Sequence, residues 1–305
     1  MRPGDGWEGS LLAENSQRRT RRYSVRVKAG TSDVHSRVDS ALHRYVAYHH
    51  EGMAPGTHLG LPSPSITVVL SVGPPTHMVA MPDPRQRPES FMALVGGLHT
   101  RPVVIGYGEI MAGVQLDLAP QAARRLLGVP ASALACSVLH MHDILGPAAT
   151  ELVDRLQTTS SWDARRDAVF DVLGRQNRAI DPAPTSVDRA WELIVSSHGT
   201  MPIADVADDV GWSRRHLDRE FVAEFGLTPK DVARITRFTY SRTLLAQHPR
   251  MSMAMLSAMC GYYDQAHMAR EWNRFAGEPA SAWWADEGVR FFQAPGGQNS
   301  ASSAA

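Results

Sequence analysis

Two stretches of this 305-residue chain repeat one design. Residues 203–221 read IADVADDVGWSRRHLDREF, and residues 253–272 read MAMLSAMCGYYDQAHMAREW. Each holds a short apolar helix, a glycine, two or three turn residues, a small polar cap and a longer helix. Gly211 and Gly261 stand where a left-handed residue joins two helices at a steep angle. That is a helix-turn-helix, present twice about 50 residues apart and joined by one continuous helix over about 228–246. A single such match says little, whereas the tandem pair makes residues 187–293 an all-α unit.

The faces of the two longer helices carry the chemistry. Burying Leu217, Phe221 and Phe225 leaves Arg215, Asp218 and Arg219 together on the opposite side. Burying Met268, Trp272 and Phe275 exposes Gln265, Ala266, Ala269 and Arg270. Gln suits adenine, Arg suits guanine, and alanine touches a thymine methyl. Either face alone reads equally well as an ordinary solvated helix; the pairing points to DNA. At 1.5 Å per residue the connecting helix is roughly 28 Å long. One duplex turn is about 34 Å. One chain can therefore set two recognition helices into successive major grooves of double-stranded DNA.

These residues resemble the AraC family of transcriptional regulators. Its DNA-binding domain is a seven-helix unit with two helix-turn-helix motifs, matched here over residues 187–285 by IADVADDVGWSRRHLDREFVAEFGLTPKDVARITRF and LSAMCGYYDQAHMAREWNRFAGEPASAW. The resemblance implies base-reading positions at Arg215, Asp218 and Arg219, then at Gln265, Ala266, Ala269 and Arg270. It puts Arg237 at the family's arginine position on the linker helix and matches Gly226, Pro229, Gly277 and Pro279 to its turns. Ser257 stands where the family usually has Ala. Asp218 is acidic on a face meant for DNA, where it can accept from cytosine N4 or orient Arg215 or Arg219. The N-terminal half resembles the sensor halves of such regulators through LGLPSPSITVVLSVG, GGLHTRP and AGVQLDLAPQAARRLLGVPA. The family implies a small effector, a homodimer or both for that half, and RNA polymerase as a partner if the regulator activates.

Texture divides the chain. Residues 1–35 form an Arg-rich tail expected to be disordered, and its segment Gln17 to Lys28 is a candidate phosphate-binding arm. A sensor or dimerisation domain is expected over 36–180. From about 40 to 117, β-branched and aromatic runs alternate with Gly/Pro punctuation: Tyr45 to His50, Ser65 to Val72, Met78 to Met81, Phe91 to Val95, Val103 to Tyr107 and Gly113 to Leu118. Helices follow from Pro120 to a stop at Gly128, over Asp143 to Gln157 and over Trp162 to Asn177. The Pro-rich 181–186 is a linker, 187–293 the DNA-binding domain, and 294–305 a second tail. The fold class is thus an α+β N-terminal domain, a small antiparallel β-barrel or sandwich followed by helices, plus an all-α C-terminal domain.

Hydrophobic residues at 43% suffice for real cores, and charged residues at 20% argue against a mostly disordered chain. The longest apolar run, Ile66 to Val72, is far short of the roughly 20 residues of a membrane span. With a polar N-terminus and two cysteines the chain reads as cytoplasmic. Net charge is zero, and from 187 to 293 about twelve basic side chains face about fourteen acidic ones. DNA affinity must then rest on local placement, helix N-termini and the N-terminal arm. Only Lys28 and Lys230 are lysines, so the basic residues are nearly all arginine.

Other candidate chemistry is thin. Cys136, His140, His142 and Asp143 have zinc-ligand types but no second spaced pair, so no metal is expected. A metal-dependent hydrolase at Cys136/His140/His142, with the helices as a regulatory appendage, is the alternative. A third reading has an N-terminal half that only dimerises. His99 and Arg101 beside a strand are candidates for an anionic effector, or surface polar groups. Cys260 is a small buried residue, with a redox role left open. No phosphate loop, nucleophile elbow or spaced carboxylate pair stands out. The expectation is a non-enzymatic regulator without a cofactor.

Overall fold

A computed structural model of the chain describes Val38 and residues 40–176 and 185–285. The 1–35 tail with its Gln17–Lys28 arm, the 294–305 tail and positions 181–184 of the linker lie outside the described residues. The N-terminal half carries strands β1 (Leu42–Glu51), β2 (Gly56–Gly60), β3 (Ile66–Ser71), β4 (Thr76–Ala80), β5 (Glu89–Phe91), β6 (Ala93–Gly96), β7 (Val103–Tyr107), β8 (Ile110–Leu118) and β9 (Val138–His140). They pair into a five-stranded sheet, β1-β8-β3-β6-β9, and a four-stranded sheet, β2-β7-β4-β5. Every pairing is antiparallel. Of the two expected forms the structure takes the open one: two sheets and no closed barrel.

Alternation explains the layers. In β3 and β8, Ile66, Val68, Leu70, Val114, Leu116 and Leu118 are buried on the face that meets the helices. On the other face Leu94 and Val138 pack with Met78, Phe91 and Val103 of the smaller sheet. The larger sheet is therefore covered on one side by helices and on the other by the second sheet.

Helices α1 (Ala123–Leu127), α2 (Met141–Leu145), α3 (Pro147–Thr158) and α4 (Trp162–Arg175) complete this half. The helix expected over 143–157 is broken: Gly146, at φ +56°, turns the chain, and Pro147 opens α3. Strand β2 was not foreseen; in GTHLG two glycines and a histidine mask the β pattern. Nor was β9, whose three residues lie within the segment weighed for metal ligands.

The C-terminal half is all helical: α5 (Thr185–Ser196), α6 (Ile203–Asp209), α7 (Arg214–Phe225), α8 (Pro229–Gln247), α9 (Met253–Met259), α10 (Gln265–Ala276) and α11 (Ala280–Ala285). One continuous apolar core runs from the five-stranded sheet through α5 to α11, with Trp191, Phe221, Phe238, Trp272 and Trp283 inside it. No helix among the described residues is long and apolar enough to cross a membrane.

Candidate nucleic-acid interface

The two helix-turn-helix units match element for element around their caps. Ser213 accepts from the N–H of His216 at 3.3 Å, and Asp264 from the N–H of His267 at 2.6 Å. Each cap opens a 12-residue helix, α7 or α10, closed by a left-handed glycine, Gly226 or Gly277. Each is preceded by a seven-residue helix, α6 or α9. Gly211 and Gly261 follow at φ +70° and +67°, a conformation other residues adopt only at a cost, and so turn one helix into the next. An aromatic then stands edge-on to the third helical residue: Trp212 to His216 at 4.6 Å and Tyr262 to His267 at 5.5 Å.

Aligned on the caps, Arg215 matches Ala266, Asp218 matches Ala269, and Arg219 matches Arg270. Arg215, Asp218, Arg219, Gln265, Ala266 and Arg270 are exposed and Ala269 is half-buried. Leu217, Phe221, Phe225, Met268, Trp272 and Phe275 are buried on the other side. The seven expected positions thus fall on two outward faces. Their states differ. Arg219, with its side chain 70% exposed, donates to Glu220 Oε1 at 2.8 Å and lies 2.8 Å from His216 Nδ1. No ion pair among the described residues engages Arg215 or Arg270, nor Arg214, an exposed first-turn arginine that sequence reasoning passed over.

Each recognition helix is held by a forked Arg–Glu pair. On α10, Glu271 accepts from Arg234 of α8 at 2.7 Å through both carboxylate oxygens. The Arg234 guanidinium holds this carboxyl below its usual range against the opposing effect of burial. On α7, Glu224 accepts from Arg124 of α1, in the N-terminal half, at 3.0 and 2.7 Å. The far end of α7 also presses on that half: a side chain on Gly226 would overlap the Ala135 methyl.

Between the turn at Gly199, the first half of α8 and α10 lies a cleft of about 490 Å³. Lys230, Arg234, Arg237, His267 and Glu271 line it with Thr200 and Ile203. Arg237 is built into its wall, donating to the Gly199 carbonyl at 2.6 Å with its guanidinium 5.5 Å from the Tyr262 ring. It is half-buried, more than a free phosphate-seeking arginine would be.

The remaining candidates are scattered. His140 is bonded to Glu89 at 2.9 Å and His142 to Thr150 at 3.2 Å, while burial pushes the Cys136 thiol up. Among the described residues no group of three or more His, Cys, Asp or Glu side chains is placed to hold a metal ion. His99 Nδ1 lies 2.6 Å from the Arg101 carbonyl oxygen, so this pair bonds within its own loop. Cys260 is fully buried, and burial raises its thiol to about 12, far from the thiolate that redox chemistry needs.

Residues 206–285 match a helix-turn-helix domain family, a span that runs from within the first helix of the first motif through the linking helix and the whole second motif. No curated protein sequence matches the chain. Among solved structures, ToxT from Vibrio cholerae O395 is similar at TM-score 0.48 and 10% identity, covering 79% of this chain and 96% of that one. Vibrio cholerae ToxT with an unsaturated fatty acid bound is similar at 0.46 and 12%, covering 80% and 96%. The AraC-like transcriptional activator CuxR is similar at 0.27 and 15%, covering 66% and 78%. The family match and the repeated helix–glycine–cap–helix units agree: the C-terminal half carries a helix-turn-helix domain in which the motif is present twice.

Proposed function

We propose that this DNA-binding regulator sets α7 and α10 into successive major grooves of one duplex and reads bases with Arg215, Asp218, Arg219, Gln265, Ala266, Ala269 and Arg270. One observation carries the reading. Two cap-matched 12-residue helices turn the same three positions to their outward faces, all exposed but the half-buried Ala269, and are joined by a 19-residue helix, which at 1.5 Å per residue is roughly 28 Å long. That spacing suits grooves about 34 Å apart. The cleft beside α8 and α10 supports a backbone role for Lys230 and Arg237, since cations next to a recognition helix can reach the phosphates that flank its groove.

The N-terminal half is the sensor. Its α1 grips the first recognition helix through Arg124 and Glu224, so a small effector that moves α1 alters DNA affinity. Residues 36–180 then form the sensor and dimerisation domain, and 187–293 the DNA-binding domain, acting in the cytoplasm. The regulator works as a homodimer, and with RNA polymerase where it activates. The test is selection of bound fragments from a random duplex pool. Two base clusters about one helical turn apart support two-groove reading; a single cluster limits it to one motif.

A further inference from the structure

The two motifs are not equal: the second turn is one residue longer. Between the left-handed glycine and the cap the first motif has only Trp212, and the second has Tyr262 and Tyr263. Trp212 and Tyr262 occupy the matching place, each edge-on to its histidine. Tyr263 is the added residue. The residue is 92% exposed, beyond any other large hydrophobic residue among the described residues. Its backbone is fixed, because its N–H donates to His267 Nδ1 at 3.3 Å and the Asp264 cap follows.

Position gives the ring its partner. A recognition helix enters the major groove by its N-terminal residues. The residue just before the cap is therefore carried to the groove edge, beside the sugar-phosphate backbone and the first base pair read. Asp264, the nearest acidic side chain in sequence, has its carboxylate turned onto the His267 N–H. A tyrosine at this place offers a hydroxyl to a phosphate oxygen and a ring face to deoxyribose or a thymine methyl.

Resting on the two-groove reading above, we propose that Tyr263 is an additional DNA-contacting residue of the second motif, with no counterpart in the first. The contact gives the second recognition helix a wider footprint.

The test uses the full chain and the duplex it selects from a random pool. Tyr263→Ala should weaken binding about three- to tenfold, the range of one net hydrogen bond or of burying part of one ring face. The melting temperature should stay unchanged, since an exposed ring packs against nothing. Tyr263→Phe separates the two contacts: wild-type affinity assigns the ring, and a loss like that of alanine assigns the hydroxyl. Arg270→Ala serves as the reference for α10. If Arg270→Ala weakens binding and Tyr263→Ala does not, the tyrosine contact is overturned and the two-groove reading stands. If neither changes affinity, α10 does not enter the groove and both readings fall. Unchanged DNA affinity with altered self-association in sedimentation would make Tyr263 part of a protein contact with Met255 and Met259, which are 57% and 49% exposed, and would also overturn the proposal.

Discussion

Arg219 must leave Glu220 to make the proposed base contact, whereas Arg270 has no such partner among the described residues. Both sit at the same helical position, so the difference should appear in their energetics. Arg270→Ala is expected to cost about 1–3 kcal/mol of operator affinity and to relax preference in the second base cluster only. Arg219→Ala should cost less, because the wild-type residue first gives up an ion pair. Glu220→Gln should then tighten binding, as measured by titration at fixed salt; unchanged affinity would mean that the pair survives in the complex. Asp188 on α5 presents a different residue-scale effect. Burial, aided by Glu224 and Glu192, raises its carboxyl to about 6. Between about pH 4 and 6 the folded state thus holds more proton than the unfolded one, and stability falls as pH rises through that window. Asp188→Asn should flatten that slope and raise the melting temperature most at pH 7–8; identical melting curves at pH 4 and pH 8 relative to wild type would rule this out.

Helix α8 is the element on which the interface depends, since it spaces the recognition helices and holds α10 through Arg234 and Glu271. Both side chains are well buried, at 19% and 9% exposed, so removing one strands a charge. Arg234→Ala should destabilise the protein by about 3–5 kcal/mol, the range for a broken buried pair, visible as a lower unfolding midpoint in urea. Arg237→Ala should lower both stability and DNA affinity across all sequences alike, because the side chain ties α8 to Gly199 as well as lining the cleft. A variant with wild-type melting but weaker binding would assign Arg237 to phosphate alone. Elements with local codes were legible before the structure. Ser213, Thr228, Asp264 and the left-handed glycines mark helix ends within a few residues of themselves, and the buried stripes leave the outward faces by subtraction. The forked pairs were not legible: Arg234 and Glu271 lie 37 positions apart, Arg124 and Glu224 lie 100 apart, and nothing local says that they meet. Strand β2 stayed hidden for a related reason. GTHLG has weak intrinsic β character and is a strand because β7 lies beside it.

At the scale of the whole molecule the two halves share a core, and the first recognition helix is one place where they touch. Arg124→Ala leaves the buried Glu224 carboxylate without its partner and should loosen the grip of the N-terminal half on α7. Its expected signature is a lower melting temperature for the full chain. A fragment beginning near residue 184 lacks Arg124 altogether, so adding Glu224→Gln to it should be neutral or stabilising. Equal effects of Glu224→Gln in chain and fragment would remove the interdomain pair from the account. The unequal turns have a consequence for the DNA. Most dimeric repressors read a palindrome, and a palindrome looks the same from either end. Two dissimilar reading heads in fixed order give each chain's site a left and a right, a polarity that a homodimer keeps when its two chains read in the same direction. Turning such a site around in front of a gene would present the same bases while pointing the N-terminal half, and whatever it recruits, the other way.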